Sequence, residues 1–209
     1  TITAKRKGAP HPGAKTAQQI VALNSRVVEE INSFSRLRLI TRGGRVGSGM
    51  GGLLEALWGY AMNAQLTQAA ASVELAWIPG HEYNDFVCLE RDCVWDQSTR
   101  SGELLRIEAK SMVLAADEAK GHFTELVKQL GEWDLLLVLV WDWADVDSFR
   151  KCPVVDGAFI GNAREVAKLR DALHLARGGT FVDPKNCPDG CEAGQCKHGG
   201  EPLNSSGRR

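Results

Sequence analysis

The sequence predicts an α/β or α+β domain, a mixed central sheet flanked by helices, with a small Cys/His-rich element after it. Two early stretches carry apolar residues at helical spacing, and the later stretches are short, apolar and strand-like. The longest connection between strands is itself helical in pattern, as a crossover between parallel strands requires. At 209 residues the chain is long enough to bury one core and carry an appendage. It divides into a basic N-terminal segment (1–15), a core domain (16–179) and a Cys/His-rich tail (180–209).

Residues 1–15 are rich in Gly, Pro and Lys and are expected to be mobile. From Thr16 to about Phe34, Ile20, Leu23, Val27, Val28 and Ile31 recur at helical spacing, with Thr16 as N-cap. A basic loop, TRGGRVGSGMGG, spans Thr41 to Gly52, and Leu53 to Leu66 forms a second helix with Leu53, Leu54, Leu57, Tyr60 and Ala61 on its apolar side. Strands are expected at Val73–Ile78, Asp85–Glu90 and Glu103–Met112, then a helix at Ala115–Leu130. Asp134–Trp143, an almost continuous apolar run, fits a central strand covered on both faces. A short strand near Ala158–Ile160 and a helix over Asn162–Ala176, stopped by Gly178-Gly179, complete the domain.

The longest apolar run, Leu135 to Trp141, is far too short to span a bilayer, and no charged-then-apolar signal segment is present. A membrane partner is not expected, and a reducing cytoplasm is. The net charge of −1 conceals an asymmetry: residues 1–50 hold nine Lys or Arg against two Glu, and the remainder holds 16 basic and 24 acidic residues. A basic, Gly-rich segment of this kind follows a phosphate backbone or is merely solvated.

In LLRIEAKSM, residues 104–112, Glu108 and Lys110 share one face of an otherwise apolar strand while Ile107 and Ala109 share the other. Charges on a core strand are costly unless solvated, paired or used. An edge strand with one wet face, or a simple ion pair, is the plain explanation. A second explanation brings in Asp85, which opens the preceding strand. Were the two strands adjacent, Asp85 and Glu108 would make an oxygen-rich site for Mg²⁺, with the Ala109 carbonyl as a further ligand. Lys110 would orient or deprotonate a water, or stabilise charge on a phosphate, a set suited to phosphodiester hydrolysis.

With these residues the chain resembles the PD-(D/E)xK nuclease superfamily, which includes most type II restriction endonucleases and several repair nucleases. The shared pattern is an Asp at one strand, (D/E)-x-K on the next, then a helix and another strand. Asp85, Glu108 and Lys110 match it, followed by Ala115–Leu130 and Asp134–Trp143; the likeness runs from about Leu53 to Trp143. The Pro-Asp pair is not contiguous here, since Pro79 lies six residues before Asp85, and Glu82, Asp92 or Asp96 are alternative first acids. The resemblance implies a restriction-endonuclease-like core, a Mg²⁺-dependent DNA endonuclease of restriction type, and a homodimer acting on double-stranded DNA. It also implies a role for an acid on the helix before the sheet, where Glu55 stands, although a solvated helix residue explains Glu55 as well. A repair nuclease acting on structured DNA and a non-catalytic DNA-binding protein are the rival functions.

Gly47-Ser-Gly-Met-Gly-Gly52 contains the G-x-G-x-x-G of dinucleotide sites, and RLRLI before it is a possible strand. The alternating βαβ frame is missing, so a basic loop approaching DNA phosphates through Arg42 and Arg45, aided by Lys5, Arg6 and Lys7, fits better. The tail places Cys187, Cys191, Cys196 and His198 within twelve residues, among turn-permitting glycines, as a structural Zn²⁺ site would. Disulfide-bearing or unstructured thiols are the alternatives. Cys88, Cys93 and Cys152 read as reduced, buried side chains, His122 as a helix-surface residue, and Trp141 and Trp143 as core or dimer packing.

Overall fold

The computed structural model describes residues 11–42, 47–78, 84–115 and 130–176. Two helices come first, α1 (Pro12–Arg38) and α2 (Gly47–Gln68). Five strands follow, β1 (Val73–Trp77), β2 (Phe86–Glu90), β3 (Glu103–Val113), β4 (Leu135–Asp145) and β5 (Lys151–Asn162), and then α3 (Ala163–Ala176). The strands form one mixed sheet in sequence order. Neighbours are antiparallel except β3 and β4, which are parallel. That parallel pair accounts for the long 114–134 connection, because a parallel return cannot be made by a tight turn. The expected helix over Ala115–Leu130 falls almost wholly outside the described residues.

β3, not β4, is the middle strand, so the Glu108–Lys110 pair does not lie on an edge strand. The helices α1 and α2 cover one face of the sheet. Ile20, Val27 and Ile31 of α1 and Leu54, Trp58, Met62 and Leu66 of α2 pack there on Phe86, Cys88, Leu105, Ile107, Leu137 and Leu139. Within this core Trp58 donates its indole N–H to Asn24 Oδ1 (2.9 Å), joining the two helices. On the far face, Leu136 meets Leu130 and Ala163, while Val87 and Leu89 meet Ile78.

Several boundaries differ from the sequence expectation for physical reasons. α1 starts at Pro12, with His11 as N-cap: its Nδ1 accepts from Gly13 N–H at 3.2 Å, and its ring stacks on Trp133. Thr16 is therefore a buried residue inside the helix, and residues 12–15 are helical rather than loose. The helix runs on through Arg36-Leu37-Arg38, so RLRLI is not a strand. α2 begins at Gly47, and the glycine run is its first turns instead of a loop. Its buried side is Met50, Leu54, Trp58, Ala61, Met62 and Leu66, while Leu53 and Tyr60 are exposed. β5 is twelve residues long, not a short strand. Pro153, Gly157 and Gly161 blur its alternation, but pairing with β4 along its whole length overrides local propensity.

Both outer strands are clasped by an asparagine from the helical layer. Asn63 of α2 donates to Leu75 O (2.8 Å) and accepts from Leu75 N–H (2.7 Å) on β1. Asn32 of α1 donates to Val155 O (2.9 Å) and accepts from Val155 N–H (2.8 Å) on β5. Among the described residues neither strand has a further strand neighbour at these positions, and each carboxamide satisfies main-chain groups that an edge would leave open. Asn32→Ala and Asn63→Ala are each expected to lower unfolding stability by about 1–3 kcal/mol, since each strips two bonds from main-chain groups. Urea unfolding should show the midpoint falling at constant slope; an unmoved midpoint would contradict the clasp.

Candidate active site where β2 parts from β3

β3 presents Leu105, Ile107 and Ala109 to the helical core, which turns Arg106, Glu108 and Lys110 to the opposite face. The antiparallel register pairs Phe86 with Ile107, so the preceding residue, Asp85, stands across from Glu108. The adjacency expected of the two acids is therefore present. Asp85 N–H donates to Ile107 O (3.1 Å), and Asp85 Oδ2 accepts from Ala109 N–H (2.8 Å). In return, Glu108 Oε2 accepts from Asn84 N–H (2.9 Å). Each strand's acid takes a main-chain donor from the other strand. Beyond this point, among the described residues, β3 pairs only with β4.

Lys110 Nζ donates to Glu108 Oε1 and to Ala109 O (3.2 Å). The pair is sheltered: 7% of the Glu108 side chain and 26% of the Lys110 side chain remain accessible. Glu55 enters from α2, hydrogen-bonds Ser111, and feels the charges of Asp85, Lys110 and Glu108. The helix comes so close to β3 that a Cβ on Gly51 would collide with Ser111 Oγ. Close approach of helix to strand, not phosphate binding, is thus the visible use of one glycine in the run. Ser111 and Asn84 escaped the sequence reading. Ser111 belongs to the opposite strand face from Lys110, and Asn84 shows its role only through its backbone conformation.

Among the described residues Lys110 touches Glu108 and feels the charges of two further carboxylates, Asp85 and Glu55. Burial is the main cause that raises the Glu108 pKa above the ordinary glutamate value, with Lys110 opposing it and Asp85 adding to it. Glu55 is raised for the same leading reason; its bond to Ser111 pulls the other way, and Asp85 raises it further. For Lys110, burial alone pulls the pKa down, but Glu108, Asp85 and Glu55 together hold it above the usual lysine value. Lys110 accordingly keeps its proton, which suits charge stabilisation and orientation better than deprotonation of a water.

A divalent cation fits the charge of this set. With all three acids ionised the group carries an excess of two negative charges. Each carboxylate oxygen has a second lone pair free after one hydrogen bond. Among the described residues no three His, Cys, Asp or Glu side chains are grouped closely enough to cage a metal. Mg²⁺ needs no such cage, since it is held through one or two carboxylates and keeps several waters. The Ala109 carbonyl, considered as a further ligand, is engaged by Lys110.

Other candidates fall elsewhere. Asp92 and Asp96 lie on the exposed β2–β3 connection, at the opposite end of β2 from Asp85. Asp96 is occupied as a turn cap by Ser98 and Thr99, whose hydrogen bonds lower its pKa. Arg42 is exposed beyond the end of α1. Glu82, Arg45, Lys5, Arg6, Lys7, His122 and the set Cys187, Cys191, Cys196 and His198 lie outside the described residues. Trp141 is buried in the core and meets Trp143 edge-on at 5.9 Å, as packing predicts. Cys88 and Cys152 are buried and free, Cys93 is only partly buried, and burial pushes the Cys88 thiol up to about 12.

Comparison of this chain with protein-family models, with curated proteins and with solved structures finds no match.

The raised Glu55 pKa makes a prediction about stability. The folded chain holds this proton more tightly than the unfolded chain does. Stability therefore falls as pH rises from the ordinary glutamate value through the raised folded value, and the cost is complete above it. Glu55→Gln removes that cost. With chelator present, the variant should melt above the parent at neutral pH, and the gap should close on acidification below the ordinary glutamate range. A parent equal to or more stable than the variant at pH 7 would contradict the electrostatic account.

Proposed function

We propose that the chain is a Mg²⁺-dependent DNA endonuclease with a PD-(D/E)xK-like site. The observation that carries this reading is the placement of Asp85 and Glu108 side by side on antiparallel strands, with Lys110 on Glu108 and Glu55 in the same charge cluster. The strand order supports it too: an acid at one strand, E-x-K on the next, then a parallel strand reached by a long connection.

Asp85 and Glu108 would hold the cation, with Glu55 close enough to influence its charge. Bound Mg²⁺ would supply charge neutralisation at the phosphate and a more acidic water. Lys110 presents a fixed ammonium where negative charge develops during attack on phosphorus, without having to lose a proton. The buried surroundings of Glu108 strengthen every one of these interactions relative to open water.

Sequence-specific, restriction-type cutting and a homodimer are the finer parts of this reading, and the resemblance in the motif is their support. A structural Zn²⁺ in the tail is proposed on the spacing of Cys187, Cys191, Cys196 and His198. A second reading, a DNA-binding protein without catalysis, draws on one observation: both Glu108 oxygens and the Lys110 ammonium are already paired with each other or with main chain.

Incubation of a large, sequence-diverse DNA with the parent chain and with Lys110→Ala in Mg²⁺ separates these readings. The nuclease reading expects cleavage by the parent and a rate about 10²-fold lower or worse in the variant. Both are measured at a temperature where circular dichroism shows both chains folded, since loss of the Lys110 charge also lowers stability by leaving Glu108 without its ion-pair partner. Discrete bands indicate sequence-specific cutting, and a smear indicates a nuclease without it. Binding without cleavage, unaffected by Mg²⁺, favours the second reading. Equal cleavage by both chains removes Lys110 from the mechanism.

A further inference from the structure

Asn84 occupies the point at which β2 leaves β3. It is 4% exposed, and its φ of +88° lies in the left-handed region that few side chains other than asparagine tolerate. That conformation aims its N–H at Glu108 Oε2 (2.9 Å), while the next residue, Asp85, takes the Ala109 N–H. An ordinary extended conformation at residue 84 would send this N–H elsewhere and leave Glu108 with Lys110 as its only bonding partner among the described residues.

The side chain adds a second observation. Asn84 Nδ2 is buried and has no acceptor among the described residues. Glycine would adopt the same backbone without strain and without an orphaned amide. The carboxamide is thus a net cost to the fold as it stands. A buried donor without an acceptor, on the residue whose N–H serves Glu108 and which immediately precedes Asp85, is chemically matched to an oxygen supplied from outside the chain.

We propose that Asn84 is a positioning residue with two parts: its main chain fixes the Glu108 carboxylate, and its side-chain amide receives a phosphodiester oxygen of the substrate. The second part rests on the nuclease reading, and the first does not.

The test uses the full chain as parent, Asn84→Gly and Asn84→Ala, with thermal melting to establish folding. Calorimetric titration with Mn²⁺ in the absence of DNA reads the main-chain part. Glycine keeps the backbone, so its Mn²⁺ affinity should stay within about twofold of the parent; alanine is strained at positive φ and should lose about tenfold. DNA cleavage kinetics in Mg²⁺ read the side-chain part. Asn84→Gly should raise KM for DNA about tenfold, the loss of one hydrogen bond to a charged acceptor.

A glycine variant with the parent's KM overturns the amide assignment. Alanine binding Mn²⁺ like the parent overturns the main-chain assignment. Loss of Mn²⁺ affinity in the glycine variant also overturns the proposal, because the amide would then serve the cation and not the phosphate. Should the alanine variant fail to fold, the glycine measurements still decide the amide. A parent that never cleaves DNA, while Mn²⁺ still separates alanine from glycine, sinks the nuclease reading and leaves the main-chain role standing. Cleavage by the parent with no difference among the three chains does the reverse.

Discussion

The structure turns on the gathering of buried and half-buried acids at the place where β2 and β3 separate. Among the described residues Lys110 pairs with Glu108 in a partly buried setting, and it also feels the charges of Asp85 and Glu55. Burying a carboxylate is tolerable only with partners, and here much of the partnering comes from the backbone. Asn84 N–H serves Glu108, and Ala109 N–H serves Asp85. The strands must diverge there for those two donors to be free. In this way the end of the β2–β3 ladder and the chemistry of the site are a single constraint.

A second charged pair on the same strand makes the contrast plain. A register shift between Cys88 and Leu89 leaves Leu104 as an extra residue in β3, and so brings Glu103 to the same face as Arg106. Arg106 then bonds Glu103 bidentately at 2.7 and 2.8 Å, and Trp95 donates to Glu103 at 3.1 Å. That pair is a bidentate arginine–carboxylate bridge, the geometry of a structural ion pair. Among the described residues the Glu108–Lys110 cluster does not balance, and imbalance is what a cationic ligand would correct. Two glutamates whose burial makes them harder to ionise are a standing cost to the fold, which sites of function commonly carry.

The rest of the molecule holds this arrangement rigid from one side. α1 and α2 press on a continuous apolar face, and their Asn32 and Asn63 reach the two outer strands. Gly51 lets α2 approach β3 closely enough for Glu55 to meet Ser111 and sense the acids beyond. An acid on a helix, with no motif of its own, is thereby joined to a strand more than fifty residues away in sequence.

The sequence by itself determined the strands β1 to β4 within a residue or two, the two leading helices and the final one, because apolar periodicity survives wherever one face is buried. It also identified Glu108 and Lys110 as sharing a face, since alternation in a strand is a local property. Helix ends were less legible: His11 caps through a ring nitrogen, and a run of glycines is helical at the start of α2, both against local preference. β5 was seen only as a fragment because its length comes from pairing with β4. Only the tertiary structure decided that β3 is the middle strand, that Asp85 rather than Asp92 or Asp96 faces Glu108, and that Asn84 and Ser111 belong to the site. Each of these depends on hydrogen-bond register between segments distant in the chain, and register is set by the whole sheet and the helices against it, not by any one stretch of residues.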